Sequence, residues 1–186
     1  MRQEEMKEDQ VDIAYHMPFL EAVASQASFI LEIGVGWGNG STRAFARGLK
    51  RSPAANKLHI GVDWNPVLED PASDFERPDS DYWQLVLGKS ERAWTAQKVD
   101  LVTHGRVPDV IFIDTDHNYD QMSQELRVWS RLAGPSTLWI FHDTWQEGSY
   151  NRMTDAIKEY CVEHPEWEFV DYSQDSHGLG LMRRKA

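Results

Sequence analysis

The chain has 186 residues, 41% hydrophobic and 26% charged, with 8 Trp, 6 Tyr and 7 Phe. That is one domain's worth with enough apolar material for a substantial core, which excludes disordered and fibrous classes. Nineteen Lys and Arg against 30 Asp and Glu give a net charge of −11, a field that repels phosphate backbones and anionic lipid, so neither nucleic acid nor membrane is an expected partner.

The first twelve residues are polar, and 13–27 read as a helix with Pro18 at its start and Ile13, Phe19, Leu20 and Val23 as its apolar positions. Residues 1–27 are thus expected to form an N-terminal arm and helix leading into a single domain over 28–186. The run 28–35 is apolar and ends in glycines, as a strand buried on both faces does when it enters a turn. A helix follows over 41–50, with Ser41 and Thr42 placed to cap it and Phe45 and Leu49 on one face. Strands at 57–63, 82–88, 109–114 and 136–143 then alternate with helices at 91–99 and 121–133, in which Met122, Leu126 and Trp129 follow helical spacing as core positions. The Pro- and Asp-rich stretch 65–81 replaces or shortens one helix. A helix at 153–163 and strands at 167–172 and 178–184 complete the chain, and the connection between those last two strands is too short for a crossover helix. The expected fold is α/β: a Rossmann-like open, mostly parallel seven-stranded sheet with helices on both faces and an antiparallel last strand. The lone cysteine, Cys161, excludes an internal disulfide, and with no secretory leader pattern the expected location is cytoplasmic.

Gly34, Gly36, Gly38 and Gly40 alternate directly after the first strand. Such a loop lets backbone amides approach a ligand closely, and the helix behind it adds partial positive charge. The spacing is not that of a dinucleotide fingerprint, because Asn39 and Ser41 stand where that pattern needs glycine. Glu32, two residues upstream, suits a ligand carrying hydroxyls or an ammonium group. Asp63 closes the second strand, 31 residues beyond Glu32, where an acid in this kind of sheet reaches ribose hydroxyls. Gly88, Lys89 and Ser90 make a second tight turn at the same sheet edge.

Two further strand ends carry chemistry. Asp114, Asp116 and His117 follow one, and His142 and Asp143 end the other, so the five should converge. Hard carboxylate oxygens suit Mg²⁺, an ion that acidifies a hydroxyl, and an imidazole within reach takes the proton. Trp37 in the glycine loop and Trp145 after Asp143 are candidates to line a pocket. Tyr15 and His16 are placed to fold over a ligand, and His177 with Gly178 and Gly180 to shape the last hairpin. The stretches 65–81 and 145–151 are expected as substrate walls.

The combination of the glycine loop, Asp63, the 87–90 turn and the segment around Asp114 resembles the class I S-adenosylmethionine-dependent methyltransferases over residues 28–184. The resemblance implies that Glu32, Gly34 and Gly36, with Trp37 beside them, surround the methionine part of the cofactor. Asp63 would hold the ribose, Lys89 and Ser90 would lie near the adenine, and Asp114 would border the cofactor. Asp114 followed by His117 and Asp143 is similar to the magnesium-dependent sugar and macrolide O-methyltransferases and the cephalosporin-hydroxylase-like group. That similarity implies Asp114 and Asp143, with His142, as ligands of Mg²⁺ or Mn²⁺, and His117 as base. His142 departs from the acidic residue usual there. The activity implied is O-methylation of a small molecule or sugar, in a protein that is a candidate homo-oligomer because its pocket is otherwise open. A metal-dependent hydrolase using Asp114, His117 and Asp143 and a non-catalytic adenosyl-binding module are the alternatives.

Overall fold

Strand β1 (Phe29–Ile33) is buried at every residue and occupies the middle of the sheet. In the computed structural model, which describes residues 12–145 and 152–185, seven strands run in the order β3-β2-β1-β4-β5-β7-β6. β2 (Leu58–Asp63), β3 (Trp83–Leu87), β4 (Val110–Ile113) and β5 (Leu138–His142) are parallel to β1. β7 (Leu179–Arg184) is inserted antiparallel between β5 and β6 (Trp167–Ser173), so the sheet contains one reversed strand.

Pleat parity sorts the core into two layers, since successive strand residues face opposite sides of a sheet. Phe29, Leu31, Ile33, Ile111, Ile113, Trp139 and Phe141 join one cluster with α3 (Ala93–Thr103), α4 (Tyr119–Trp129) and α5 (Met153–Glu163). Ile30, Val110, Phe112 and Ile140 join the other with α1 (Met17–Ala24) and α2 (Ser41–Arg51). Each fully buried side chain of this size contributes about 1.5–3 kcal/mol relative to exposure. Ile13, Met17 and Leu20 are buried in the second cluster, which makes the segment from residue 13 onward part of the core.

Between β2 and β3 the chain makes only one short 3-10 turn, Pro66–Glu69, in place of a helix. Leu68 and Phe75 from this stretch pack with Val35 and Trp83. The residue-level expectations for capping are corrected. Ser41 and Thr42 give α2 no cap; their hydroxyls turn inward to Glu32. The start of α4 is capped by Asn118, which accepts from the Gln121 amide. Among the described residues no helix is long and apolar enough to cross a membrane.

Because β1 has β2 on one side and β4 on the other, the strand order reverses there, and a crevice opens past the carboxyl ends of β1 and β4.

Candidate active site

The glycine loop enters that crevice with Gly34 at φ +88, and a Cβ on Gly34 would lie 1.8 Å from the Asp114 carbonyl oxygen. Only glycine allows the loop to pass β4 this closely. Asp63 braces the same loop: its carboxylate accepts from the amides of Val35 at 3.1 Å, Gly36 at 3.3 Å and Asn65 at 2.9 Å.

A cleft of about 450 Å³ lies over these strand ends, lined by Gly34, Gly36, Asp63, Lys89, Ser90 and Asp114 among the residues anticipated from sequence. Trp64, Thr115, Asp116 and Gln121 line it as well. A second cavity of about 520 Å³ shares Gly34, Gly36, Asp114 and Thr115 with the first and adds Trp37, His117 and Asp143. Trp37 therefore belongs to the second cavity.

Glu32 requires correction. It lines neither cavity and is fully buried on the α2 side of the sheet, with Oε1 accepting from Ser41 Oγ at 2.6 Å and Thr42 Oγ1 at 2.9 Å. Its Oε2 accepts from His59 Nε2 at 2.8 Å. Strand parity decides this: two residues before the loop, the side chain points into the helix layer and not along the strand toward the crevice. Glu32 ties the first turn of α2 to β2. The stretch 65–81 lines neither cavity; the Glu76 amide donates to the Trp37 carbonyl at 2.9 Å and backs the glycine loop from outside. Of the other expected wall, residues 146–151 lie outside the described residues.

The structure brings His117, His142, Asp114 and Asp143 together. His117 Nε2 donates to Asp143 Oδ2 at 2.7 Å and stands 3.7 Å from Asp114 Oδ1. His142 Nδ1 faces Asp143 Oδ2 at 3.0 Å and Asp114 Oδ1 at 3.4 Å, while its Nε2 donates to the Ser176 carbonyl at 3.1 Å. His177, expected only to shape the hairpin, reaches Asp143 Oδ1 with Nδ1 at 3.2 Å. Asp143 takes a left-handed φ of 59 to turn its carboxylate into this ring of imidazoles. Asp116 is exposed and joins none of these contacts. His16 is buried with Nε2 on the Asp175 carbonyl at 2.8 Å, so it supports the hairpin and does not cover the cleft. Tyr15 is exposed.

Burial opposes charge throughout the cluster, but hydrogen bonds win. It works to raise the Asp143 carboxyl, yet His117 and His142 hold that group far below the usual carboxylate range. Burial likewise disfavours the charged His117 ring, and the hydrogen bonds to Asp114 and Asp143 push it up to about 9. The same balance takes His142 to about 10.

Donor atoms of Asp114, His117 and Asp143 lie within 4.8 Å of one another, as do those of Asp12, His142 and Asp143. The residues fit a divalent ion, because the Ser176 carbonyl holds His142 Nε2–H and aims Nδ1 at the carboxylates, as an outer partner orients a metal-ligating histidine. Carboxylates mixed with imidazole suit Mn²⁺ better than the all-oxygen preference of Mg²⁺.

A family model described as a methyltransferase domain matches residues 31–144, which spans β1 to the cluster at Asp143. The chain belongs to this methyltransferase domain family. Solved structures of similar fold include the SAH-bound Podospora anserina methyltransferase PaMTH1, at 16% identity over 93% of this chain and 77% of that one, with a TM-score of 0.65. CalS11, a TDP-rhamnose 3'-O-methyltransferase of calicheamicin biosynthesis, is 17% identical over 94% of this chain and 80% of its own, with a TM-score of 0.68. MycE in complex with Mg, SAH and mycinamycin VI is 16% identical over 91% of this chain and 48% of its own, with a TM-score of 0.62. A search of curated protein sequences found no match.

Two side chains of this methyltransferase domain were not expected at the site. Glu125 left a trace, as a lone acid between Met122, Leu126 and Trp129 on the apolar stripe of α4. His177 was expected only in the hairpin, because the β5–β7 pairing alone carries it to Asp143.

Proposed function

We propose that this chain is an S-adenosylmethionine-dependent O-methyltransferase of a small molecule, of the sugar or macrolide type. One observation carries the reading: the cleft bounded by Asp63 and the glycine loop and the cavity bounded by His117 and Asp143 share the wall made by Gly34, Gly36, Asp114 and Thr115. A methyl donor in the first and an acceptor hydroxyl in the second would meet at that wall. Methyl transfer from a sulfonium needs the acceptor oxygen aligned behind the methyl carbon and its proton removed.

In the first cleft Gly34 and Gly36 bring the backbone against the cofactor, Asp63 faces the ribose, and Lys89 and Ser90 border the base. In the second, His117 in its neutral form keeps Nε2–H on Asp143, and Nδ1 accepts the hydroxyl proton as the oxygen–carbon bond forms and the carbon–sulfur bond breaks. Asp143 and Asp114 stabilise the resulting imidazolium. A divalent ion held by Asp114, Asp143 and an imidazole would lower the hydroxyl's pKa. MycE was solved with Mg and SAH together, which supports the ion beside the cofactor, and CalS11 is described as acting on a nucleotide-linked sugar, which supports a small polar acceptor.

The test is calorimetric titration of the protein with S-adenosylhomocysteine in EDTA, then in Mg²⁺ and in Mn²⁺, with NADH as control. Micromolar binding of the adenosyl ligand with no heat from NADH is expected. No binding in any buffer overturns the reading and favours a metal-dependent hydrolase. Tight binding with no methyl transfer across a sugar panel favours a non-catalytic adenosyl module.

A further inference from the structure

Glu125 on α4 is fully buried behind the Ser90, Thr115 and Gln121 side of the first cleft, yet lines neither cavity and has no part in the transfer above. Three side chains that do line the cleft converge on it. Ser90 Oγ donates to Glu125 Oε1. Thr115 Oγ1 lies 2.9 Å from both carboxylate oxygens and donates to them. Gln121 Nε2 donates to Glu125 Oε1 at 2.9 Å and to Ser90 Oγ at 3.0 Å.

A donor inventory of this patch has one outcome. A hydroxyl has one hydrogen and a primary amide has two. The Ser90 and Thr115 hydroxyls and the Gln121 amide nitrogen all direct theirs at Glu125 or at each other. A carboxylate only accepts, so it also settles which way the Gln121 amide turns: the nitrogen faces Glu125, and Oε1 is left to the cleft. These three side chains therefore offer the cleft lone pairs and no hydrogens.

We infer that Glu125 is a positioning residue that makes the Ser90, Thr115 and Gln121 side of the cleft an acceptor-only surface, selecting a base with an exocyclic amino group over its 6-oxo counterpart. This rests on the adenosyl reading of the cleft proposed above. An adenine amino group brings two hydrogens to the free lone pairs. A hypoxanthine carbonyl in the same place sets oxygen against oxygen, and a buried polar group without a partner is strongly disfavoured. The burial that raises Glu125 to about 7 leaves it chiefly ionised at pH 8, the condition in which it is acceptor-only.

The experiment compares calorimetric affinities for S-adenosylhomocysteine and S-inosylhomocysteine at pH 8 in three proteins: the unmodified chain, Glu125→Gln and Gln121→Leu. The unmodified protein should favour the adenosyl ligand by tenfold or more. Glu125→Gln introduces hydrogens where only acceptors stood, so one neighbour must turn, and the preference should fall below threefold. Gln121→Leu should also fall below threefold while leaving the Glu125 carboxyl in place with its Ser90 and Thr115 donors, which keeps the test informative if Glu125→Gln unfolds. A merely structural role for Glu125 would weaken both ligands in proportion and leave the ratio in place, which overturns the inference. Equal binding of both ligands by the unmodified protein overturns it too, while leaving the methyltransferase reading intact. Failure of the unmodified protein to bind S-adenosylhomocysteine at all would instead remove the reading on which the inference rests.

Discussion

Replacing Asp143 by Asn should move the titration of His117 by an amount that NMR reads directly. In the folded protein His117 titrates at about 9, so at pH 7 only about one ring in a hundred is neutral. The Asp143 oxygen at 2.7 Å supplies the shorter of its two carboxylate contacts, the Asp114 oxygen being 3.7 Å away. An adjacent opposite charge is worth about 1–3 pH units. Its loss should therefore bring His117 down by about 1–2 units, toward the unperturbed 6.5. The assay is a proton–nitrogen correlation titration of the imidazole resonances between pH 5 and 11, in EDTA, with Asp116→Asn as an exposed control that leaves His117 in place. If His117 in the unmodified protein titrates at or below 6.5, the cluster does not hold it protonated and the electrostatic account of the site fails. If it titrates near 9, methyl transfer with His117 as base should rise about tenfold per pH unit up to that point, and acceptor screens belong at alkaline pH.

Two more outcomes are expected. Gly34→Ala places a Cβ 1.8 Å from the Asp114 carbonyl oxygen at a φ of +88; it should cost at least about 2 kcal/mol and lower Tm by roughly 5 °C or more, with loss of S-adenosylhomocysteine binding. A Tm within a degree of the unmodified protein would contradict the close packing of loop and strand. Glu125 has a folded pKa of about 7 against an ordinary 4.5, so the folded state holds its proton where the unfolded state has lost it. Its contribution to stability is full below the lower value and is lost as pH rises through the upper one, by about 3 kcal/mol. Urea unfolding from pH 4 to 8 should show the unmodified protein losing that much relative to Glu125→Gln, and parallel curves would refute the burial argument.

The alternation of strand and helix was legible because its determinants are local. Apolar runs such as 28–35 and glycines placed straight after them state where strands end, and a short connection between the last two strands forces them antiparallel. Polar residues straight after such runs stand at strand ends, so Gly34, Gly36, Asp63, Lys89, Ser90, Asp114, His117 and Asp143 could be named as candidates from the chain alone, and the fold places them around one crevice.

What the tertiary structure alone decided is the direction of each side chain and its partner. Glu32 reads as a ligand-facing acid by position, but the pleat turns it into the α2 layer, where Ser41, Thr42 and His59 occupy it. Glu125 reads as an ordinary helix acid, but packing buries it under the cleft and gives it the hydrogens of Ser90, Thr115 and Gln121. His177 meets Asp143 only because β7 inserts beside β5, and the Ser176 carbonyl of the same hairpin holds His142 Nε2. Periodicity is a property of neighbours along the chain, whereas the protonation, polarity and reach of these groups depend on partners that packing brings together, as far apart along the chain as Ser90 and Glu125, which no local pattern records.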